Sequence, residues 1–511
     1  MVDWLTLIMI IIITIALIIT NIYVLAYFCH PDDKESGVGL LLKIIVIFGL
    51  TLAWAQVLLL PLDVSNNRTF GGGINMKLFW YIVYILIIIY VLIIFPISSS
   101  FYEADSSWTC AEKLKHSLCC FLITFIFLLV LSLILYFAIG EAQVPVTVFE
   151  GSFSNSKIGI EDNLDESKII TNLDDEQTLD LSVSYITYCI AILSFISWFL
   201  FALFGGIGLS AVPLDFFHSF LTRPIKVRSS EINIRKEVLL REVETLKLLG
   251  EEIKKLEDAG AHKKFFFSKE RREYDRKLKE FKAGKMVADE EYYALNAGEE
   301  MRKAGNCYLI FYYLLIPLGV ISGILTLLWL IQFICSYFYI KHGRPGYPFL
   351  SNMFIFFQDH DVAFLAFVFF TVFCLYLLFC LIKGNFKFGV RILCCWSIYP
   401  MKKDGTYMNA FLFNISLILI GSCAITQFCA DCLTDYVAFT DIDSLFNIQI
   451  KYLKFFGFFY KNHIFQYILF AIFILSFIYL ICRPKDRVNL IQPSKLVVKE
   501  VELKVKKIDN K

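Results

Sequence analysis

Nine stretches of about 20 apolar, almost uncharged residues recur along this chain, and they limit its fold more than anything else in the sequence. They run Trp4–Tyr27, Leu40–Leu60, Leu78–Ile97, Leu118–Ile139, Val183–Val212, Cys307–Tyr337, Val362–Ile382, Phe411–Cys429 and Ile464–Cys482. Roughly 20 apolar residues in a helix cross the hydrocarbon core of a bilayer. A helix also satisfies its backbone polar groups internally, which an isolated strand in lipid does not. The expected fold is therefore all-α: a polytopic integral membrane protein with about nine transmembrane helices and a cytosolic helical hairpin.

Charge is segregated in the way such a plan requires. Of the 95 charged residues, 39 (21 Lys/Arg and 18 Asp/Glu) lie between Leu214 and Gly305. Loop basicity orients the rest. With the N-terminus outside or luminal, the 214–305 insert, the Lys383–Lys403 loop and the tail after Cys482 fall in the cytosol. That loop carries Lys383, Lys387, Arg391, Lys402 and Lys403; the tail carries Arg483, Lys485, Arg487 and six further lysines. The Glu141–Asp180 loop has ten acids against Lys157 and Lys168 and falls outside. The expected divisions are 1–213 (five spans, with the outer acidic loop 141–180), 214–305 (charged hairpin), 306–482 (four spans) and 483–511 (basic tail). The first apolar run has no basic region before it and no small-residue cleavage site after it, so it reads as a retained span rather than a signal peptide.

The insert reads as helix, break, helix. Leu239, Leu246 and Ile253 recur every seven residues, with Leu249 and Leu256 at the alternate seam position and Glu242 as a polar intrusion. Gly260 and Lys263–Ser268 interrupt the pattern. A second helix then runs from about Lys269 to Ala297, with Tyr274, Leu278 and Phe281 on one face. The acidic loop has no helical stripe. Asp162, Asp165, Asp174 and Asp175 lack the spacing of a twelve-residue calcium loop, and the segment reads as mobile and solvated.

No enzymatic constellation emerges: there is no nucleotide loop, no His-Glu-x-x-His and no nucleophile elbow, and no cofactor or metal site is expected. Cys429 and Cys432 have a CxxC spacing without the second pair a zinc site needs, and a disulfide there, involving Cys335, is the alternative. Cys119, Cys120, Cys394 and Cys395 border the cytosolic face, as palmitoylation targets or apolar filler. Asn67-Arg68-Thr69 is a glycosylation sequon on the outer side; Asn414-Ile415-Ser416 lies within a span and is discounted.

No acid or base lies at mid-span, which argues against an ion-driven pump. Gln56, Gln332, Asn409, Asn414 and Gln427 would then either line a polar path or bond helix to helix. Gly205, Gly206 and Gly208 before Pro213 predict close packing and a break in the fifth span; Pro317, Gly319 and Gly323 predict a kink in the sixth. A pocket, if present, would draw on Gly205, Gly206, Gly208, Pro213, Asn409, Asn414 and Gln427. At 3.6 residues per turn Asn409 and Asn414 lie roughly 140° apart and need not meet.

Several runs carry a resemblance: His30-Pro31-Asp32-Asp33; Leu60-Pro61-Leu62-Asp63-Val64; Phe101-Tyr102-Glu103; Phe204-Gly205-Gly206-Ile207-Gly208 leading through Pro213 to Arg223-Pro224. Later come Pro400-Met401-Lys402, Met408-Asn409-Ala410-Phe411-Leu412-Phe413-Asn414 and Gln427-Phe428-Cys429. In order over eight spans, they resemble the limb-region-1-like family of membrane proteins, closest to its plant and protist receptor-like branch. Asp215 departs from that pattern by placing a charge at the exit of the fifth span. The resemblance implies an endocytic receptor for lipocalins, a lysosomal cobalamin export component, or a modulator of receptor signalling. It brings no enzyme activity and no binding residues. Two expectations follow: a receptor or scaffold that meets a soluble extracellular or luminal ligand protein and a cytosolic adaptor, or a transporter or transport accessory for a vitamin or lipid. Its membrane would be the plasma membrane or an endosomal or lysosomal one.

Overall fold

The computed structural model describes residues 4–30, 33, 37–70, 74–105, 107–146, 177–221, 229–258, 269–304, 306–338, 340–341, 344–345, 348–360, 362–392, 396–399, 401 and 405–482. Among them, nine helices are long and apolar enough to cross a membrane. They comprise α1 (Trp4–Phe28), α2 (Gly37–Phe70), α3 and α4 (Met76–Ile89 and Phe95–Glu103, joined by a π turn), and α5 (Cys110–Ile139). The fifth is α6 (Tyr185–Leu200), continued through a π turn at Phe201–Gly205 into α7 (Gly206–Leu221). After α8 (Ser229–Asp258) and α9 (Lys269–Ala304) come α10 (Asn306–Tyr337), the short α11 (Phe349–Asp359), α12 (Ala363–Phe388) and α13 (Met408–Cys432). The last is α17 (Ile464–Cys482), preceded by the short α14 (Thr434–Val437), α15 (Asp441–Asp443), a π turn at Ser444–Ile450, and α16 (Phe456–Lys461).

Local chemistry explains where the spans begin. Thr109 and Glu112 form a reciprocal capping box at the start of α5. Ser184 Oγ accepts from Thr187 N to open α6, and Asn75 Oδ1 accepts from Leu78 N to open α3.

Two compact units divide the chain. One comprises 1–211 with 324–478, the other 212–323 with 479–511. In the first, α13 is the axis: it packs against α2, α6 and α12, and most of its residues are buried. By contrast α5 buries only Ser117 and is apolar on all sides, as suits a peripheral helix in lipid.

Helices α7 and α12 cross at backbone contact. A Cβ added at Gly208 would lie 1.8 Å from the Cys380 carbonyl oxygen, and one at Gly384 would lie 1.9 Å from that of Phe204. The two glycines let the backbones touch. Gly206 faces Leu469 and Ile472 of α17, whereas Gly205 faces only its own Phe201 ring. The fifth span does not break at Pro213: helix continues to Leu221, and the irregularity is the π turn upstream. Likewise α10 stays helical through Pro317, Gly319 and Gly323.

The second unit contains the hairpin. Leu239 packs with Ala288 and Leu295, flanked by Leu246; Ile253 packs with Tyr274, flanked by Leu249, Leu256, Leu278 and Phe281. The cross-links Lys236–Glu299 (2.8 Å) and Lys277–Glu252 (3.1 Å) fix the helices as antiparallel. Asp215 is buried within α7.

The acidic loop departs from expectation at both ends. Glu141–Val146 (β1) and Gln177–Ser182 (β2) pair antiparallel, so strands close the loop where no structure was expected. Residues 147–176, with Asp162, Asp165, Asp174 and Asp175, lie outside the described residues, as do Arg223-Pro224, 259–268, Cys394, Cys395, Pro400, Lys402, Lys403 and the basic tail.

Candidate functional site: a polar cluster at one end of the membrane core

Four elements of the first unit bring polar side chains together at the Cys432 end of α13. Asp431 sits in the last turn of α13, and its side chain is only 12% exposed. Tyr337, ending α10, donates its hydroxyl to Asp431 Oδ2 at 2.6 Å. Gln466 of α17 donates Nε2 to the same oxygen at 3.2 Å. Lys451, just past the π turn, reaches Oδ1 at 3.3 Å. A carboxylate so placed is neutralised by one ammonium and held by two neutral donors, as a desolvated charge requires.

His463 joins this set from the turn between α16 and α17. Its Nδ1 makes no hydrogen bond and lies 3.7 Å from Asp431 Oδ2, while its ring stands 4.8 Å from that of Tyr337. Burial and the Lys451 charge hold the imidazole below its usual pKa; Asp431 pulls the other way, and burial is the largest effect. A small cavity of about 10 Å³ adjoins the cluster, lined by Gln427, Asp431, Phe446, Asn447, Lys451, Tyr460 and Gln466. That is about the space of one water molecule. Tyr460 Oη and Gln466 Oε1 are buried without a protein hydrogen bond. Burial also raises the Tyr460 hydroxyl above the ordinary phenol range.

The same segment of chain also grips the β hairpin. Gln143 N donates to Tyr452 O (2.9 Å), Lys454 N donates to Glu141 O (3.0 Å), and Lys454 Nζ pairs with Glu141. Residues Lys451 to Lys454 thus touch the buried carboxylate on one side and β1 on the other.

The residues singled out in the sequence are placed separately. Gln427 Oε1 accepts from Ser194 Oγ (2.5 Å) and Trp198 Nε1 (2.7 Å), tying α13 to α6 one turn before Asp431. Asn414 lies toward the opposite end, where its Oδ1 accepts from Asn385 Nδ2 (3.2 Å) and its Nδ2 donates to Tyr399 O (2.9 Å). Asn409 instead donates to Glu103 at 2.7 Å. Gly206 and Gly208 belong to helix crossings of α7, Gly205 faces its own Phe201 ring, and Pro213 lies further along α7, so these positions are not brought to the amides. Gln56 Oε1 accepts from Ser422 Oγ (2.8 Å), and Gln332 Nε2 donates to Cys432 O (2.7 Å). The alternative of a disulfide is not realised: Cys335, Cys429 and Cys432 are free thiols, Cys429 lying against Cys374 at 3.9 Å and Cys432 against the Tyr337 hydroxyl. The Asn67 amide donates to Phe439 O within the fold.

Sequence reasoning passed over Asp431, Lys451, Tyr337, His463 and Gln466. Each lies within about a turn of a span boundary, or in the short connection between spans, and they are spread from 337 to 466, so no local sequence signal gathers them. The runs behind the family resemblance are junctions. Asp33 accepts from the Tyr102 hydroxyl at 3.1 Å to each oxygen and from Met408 N at 3.1 Å. Glu103 takes the Tyr399 hydroxyl (3.0 Å) besides Asn409, and Asp63 accepts from Trp80 Nε1 (2.8 Å) and Ile442 N (3.2 Å).

A chain whose described residues are nearly all helical and include nine such spans is an integral multi-pass membrane protein. A family model described as "LMBR1-like membrane protein" matches residues 6–287. A LIMR family protein of Dictyostelium discoideum is 32% identical over 504 residues, covering 91% of this chain and 95% of the relative. One from Arabidopsis thaliana is 28% identical over 495 residues, covering 92% and 94%. A third, from Oryza sativa subsp. japonica, is 26% identical over 492 residues, again covering 92% and 94%. This chain belongs to the LMBR1-like, or LIMR, family. No solved structure matches it.

Proposed function

We propose that this chain is a membrane receptor or a signalling or endocytic scaffold, whose binding segments lie outside the membrane core. One observation carries the reading. All five amides that could have lined a path through the membrane (Gln56, Gln332, Asn409, Asn414 and Gln427) bond to a residue on another helix. They act as interhelical ties. The parts left for binding are the hairpin α8–α9 and the β1–β2 loop. Loop basicity supports placing the acidic loop outside or in a lumen, to meet a soluble ligand protein, and the hairpin in the cytosol, to meet an adaptor. The reading assigns no catalytic step.

Transport of a small molecule is the second reading. It is favoured by the buried Asp63 and the largely covered Asp431, carboxylates inside the helices Gly39–Asn67 and Met408–Cys432. Native mass spectrometry of protein gently extracted from its own membranes separates the two. A stoichiometric soluble protein that is lost when 147–176 or the hairpin is deleted supports the receptor reading. A stoichiometric small molecule with no protein partner overturns it in favour of transport.

A further inference from the structure

We propose that Asp431, Lys451 and His463 form an acid-released latch: protonation of His463 frees Lys451 from Asp431 and lets the Lys451–Lys454 segment part from β1. The proposal does not depend on whether the protein is a receptor or a transporter.

The geometry supplies each component. At neutral pH one carboxylate faces one ammonium, Lys451 Nζ at 3.3 Å from Oδ1. His463 waits on the other oxygen, its Nδ1 3.7 Å away and without a hydrogen bond. A proton on that nitrogen creates a donor aimed at Oδ2 and a second cation beside the first. One carboxylate in a poorly hydrated site cannot neutralise both. Lys451 (25% exposed) and His463 (23%) reach water to a similar degree. Lys451 is the cation that can leave, because its long flexible stem carries the ammonium outward by rotation, whereas the His463 ring is short and stands against Tyr337.

Of the groups facing His463, only a carboxylate and the imidazole itself change charge on the acid side of neutrality, and the His463→Gln variant below tells the two apart. Besides Asp431 of α13 and Lys451, the facing groups are the Tyr337 phenol of α10 and, beyond Tyr337, the Cys432 thiol; Tyr460 of α16 offers its backbone carbonyl, which accepts from His463 N. Phenols, thiols and ammonium groups change charge only in alkali. The sign follows from linkage. Burial holds His463 below the usual 6.5, so the opened state takes up the proton more readily. The latched state therefore loses stability as pH falls below about 6.5 and keeps it above.

The backbone is set to move. Phe455 (φ 67°) and His463 (φ 52°) hold left-handed conformations that cost energy in residues other than glycine, and a π turn precedes Lys451. Between Lys451 and Phe455 lie the groups that bond Glu141 and Gln143, so their release frees the base of the acidic hairpin.

Hydrogen exchange of the full chain in lipid nanodiscs tests the latch at pH 7.5 and 5.5, with rates corrected for intrinsic pH dependence. Peptides covering 141–146 and 450–456 should exchange about tenfold faster at the lower pH in the wild type. His463→Gln should hold the change under about twofold, while Asp431→Asn should exchange fast at both pH values. Glu141→Gln separates the rim ion pair from the latch and should retain the acid response. If His463→Gln fails to fold, His463→Asn replaces it. A wild type that stays protected at pH 5.5, or an acid response that survives the loss of His463, overturns the proposal.

Discussion

Gly208→Ala puts the close approach of α7 and α12 to a direct test. The added methyl would lie 1.8 Å from the Cys380 carbonyl oxygen. A tolerable carbon–oxygen contact is about 3.3 Å, so the helices must separate by roughly 1.5 Å. A carbonyl tied into its own helix cannot rotate away as a side chain would. Overpacking on that scale costs about 3 kcal/mol, offset by about 1 kcal/mol because alanine favours helix over glycine. The net loss is about 2 kcal/mol, or roughly 2 °C in Tm for a chain of this length. Thermal unfolding followed by size-exclusion fluorescence in one detergent measures it. Gly323→Ala is the control, since nothing lies within 4 Å of its added carbon; it should be neutral or slightly stabilising. The double variant Gly208→Ala/Gly384→Ala should cost less than the sum of its parts, because one separation relieves both clashes. A Gly208→Ala protein that melts within about 1 °C of wild type would refute the close crossing.

Gln427→Leu leaves the Ser194 hydroxyl and Trp198 indole without their acceptor, and should lower stability by about 1–2 kcal/mol in the same assay. Asn414→Leu removes the tie to Asn385 and Tyr399; the expected outcome is intracellular retention, read by microscopy of a tagged chain. Normal trafficking with lost uptake of a small molecule would instead mark a path-lining amide. Leu246→Ala on the hairpin seam removes a partly buried side chain packed by Leu239, Ala288 and Leu295, and should cost about 2 kcal/mol, seen as easier proteolysis of 229–304. Maleimide labelling in membranes should modify the exposed Cys110 and leave the buried Cys429 and Cys432 untouched until denaturant is added.

The spans were legible because lipid imposes a simple rule on length and polarity, and the hairpin because Leu239, Leu246 and Ile253 keep a heptad. The polar cluster was not. An apolar window ends the eighth span at Cys429, but helix continues one turn and carries Asp431 inward. Lys451 and His463 then reach it through turns that lack helical periodicity. Gly384 sits between Lys383 and Asn385 and reads like the end of a span, whereas it is the counterpart of Gly208 in a backbone contact. The π turns at Tyr90–Ile94, Phe201–Gly205 and Ser444–Ile450 have no compositional signature, so the break predicted from the Gly205–Pro213 stretch takes the form of a π turn that ends at Gly205, with helix running on through Pro213. Strands β1 and β2 pair across 30 residues of acidic chain, a tertiary choice that local polarity does not announce.

Because the axial helix is the eighth span, the membrane core is finished late in synthesis. Gln56 waits for Ser422, 366 residues downstream, and Ser194 waits for Gln427, 233 residues downstream. At about 5–20 residues per second the first interval lasts roughly 20–70 s. Throughout it, amide and hydroxyl groups destined for α13 lie among lipid or translocation machinery without their final partners. The segment matched by the family model, residues 6–287, ends before α12 and α13 have been made. It delimits a shared sequence but not an independent folding unit, and a chain stopped there would present an unfinished groove to quality control.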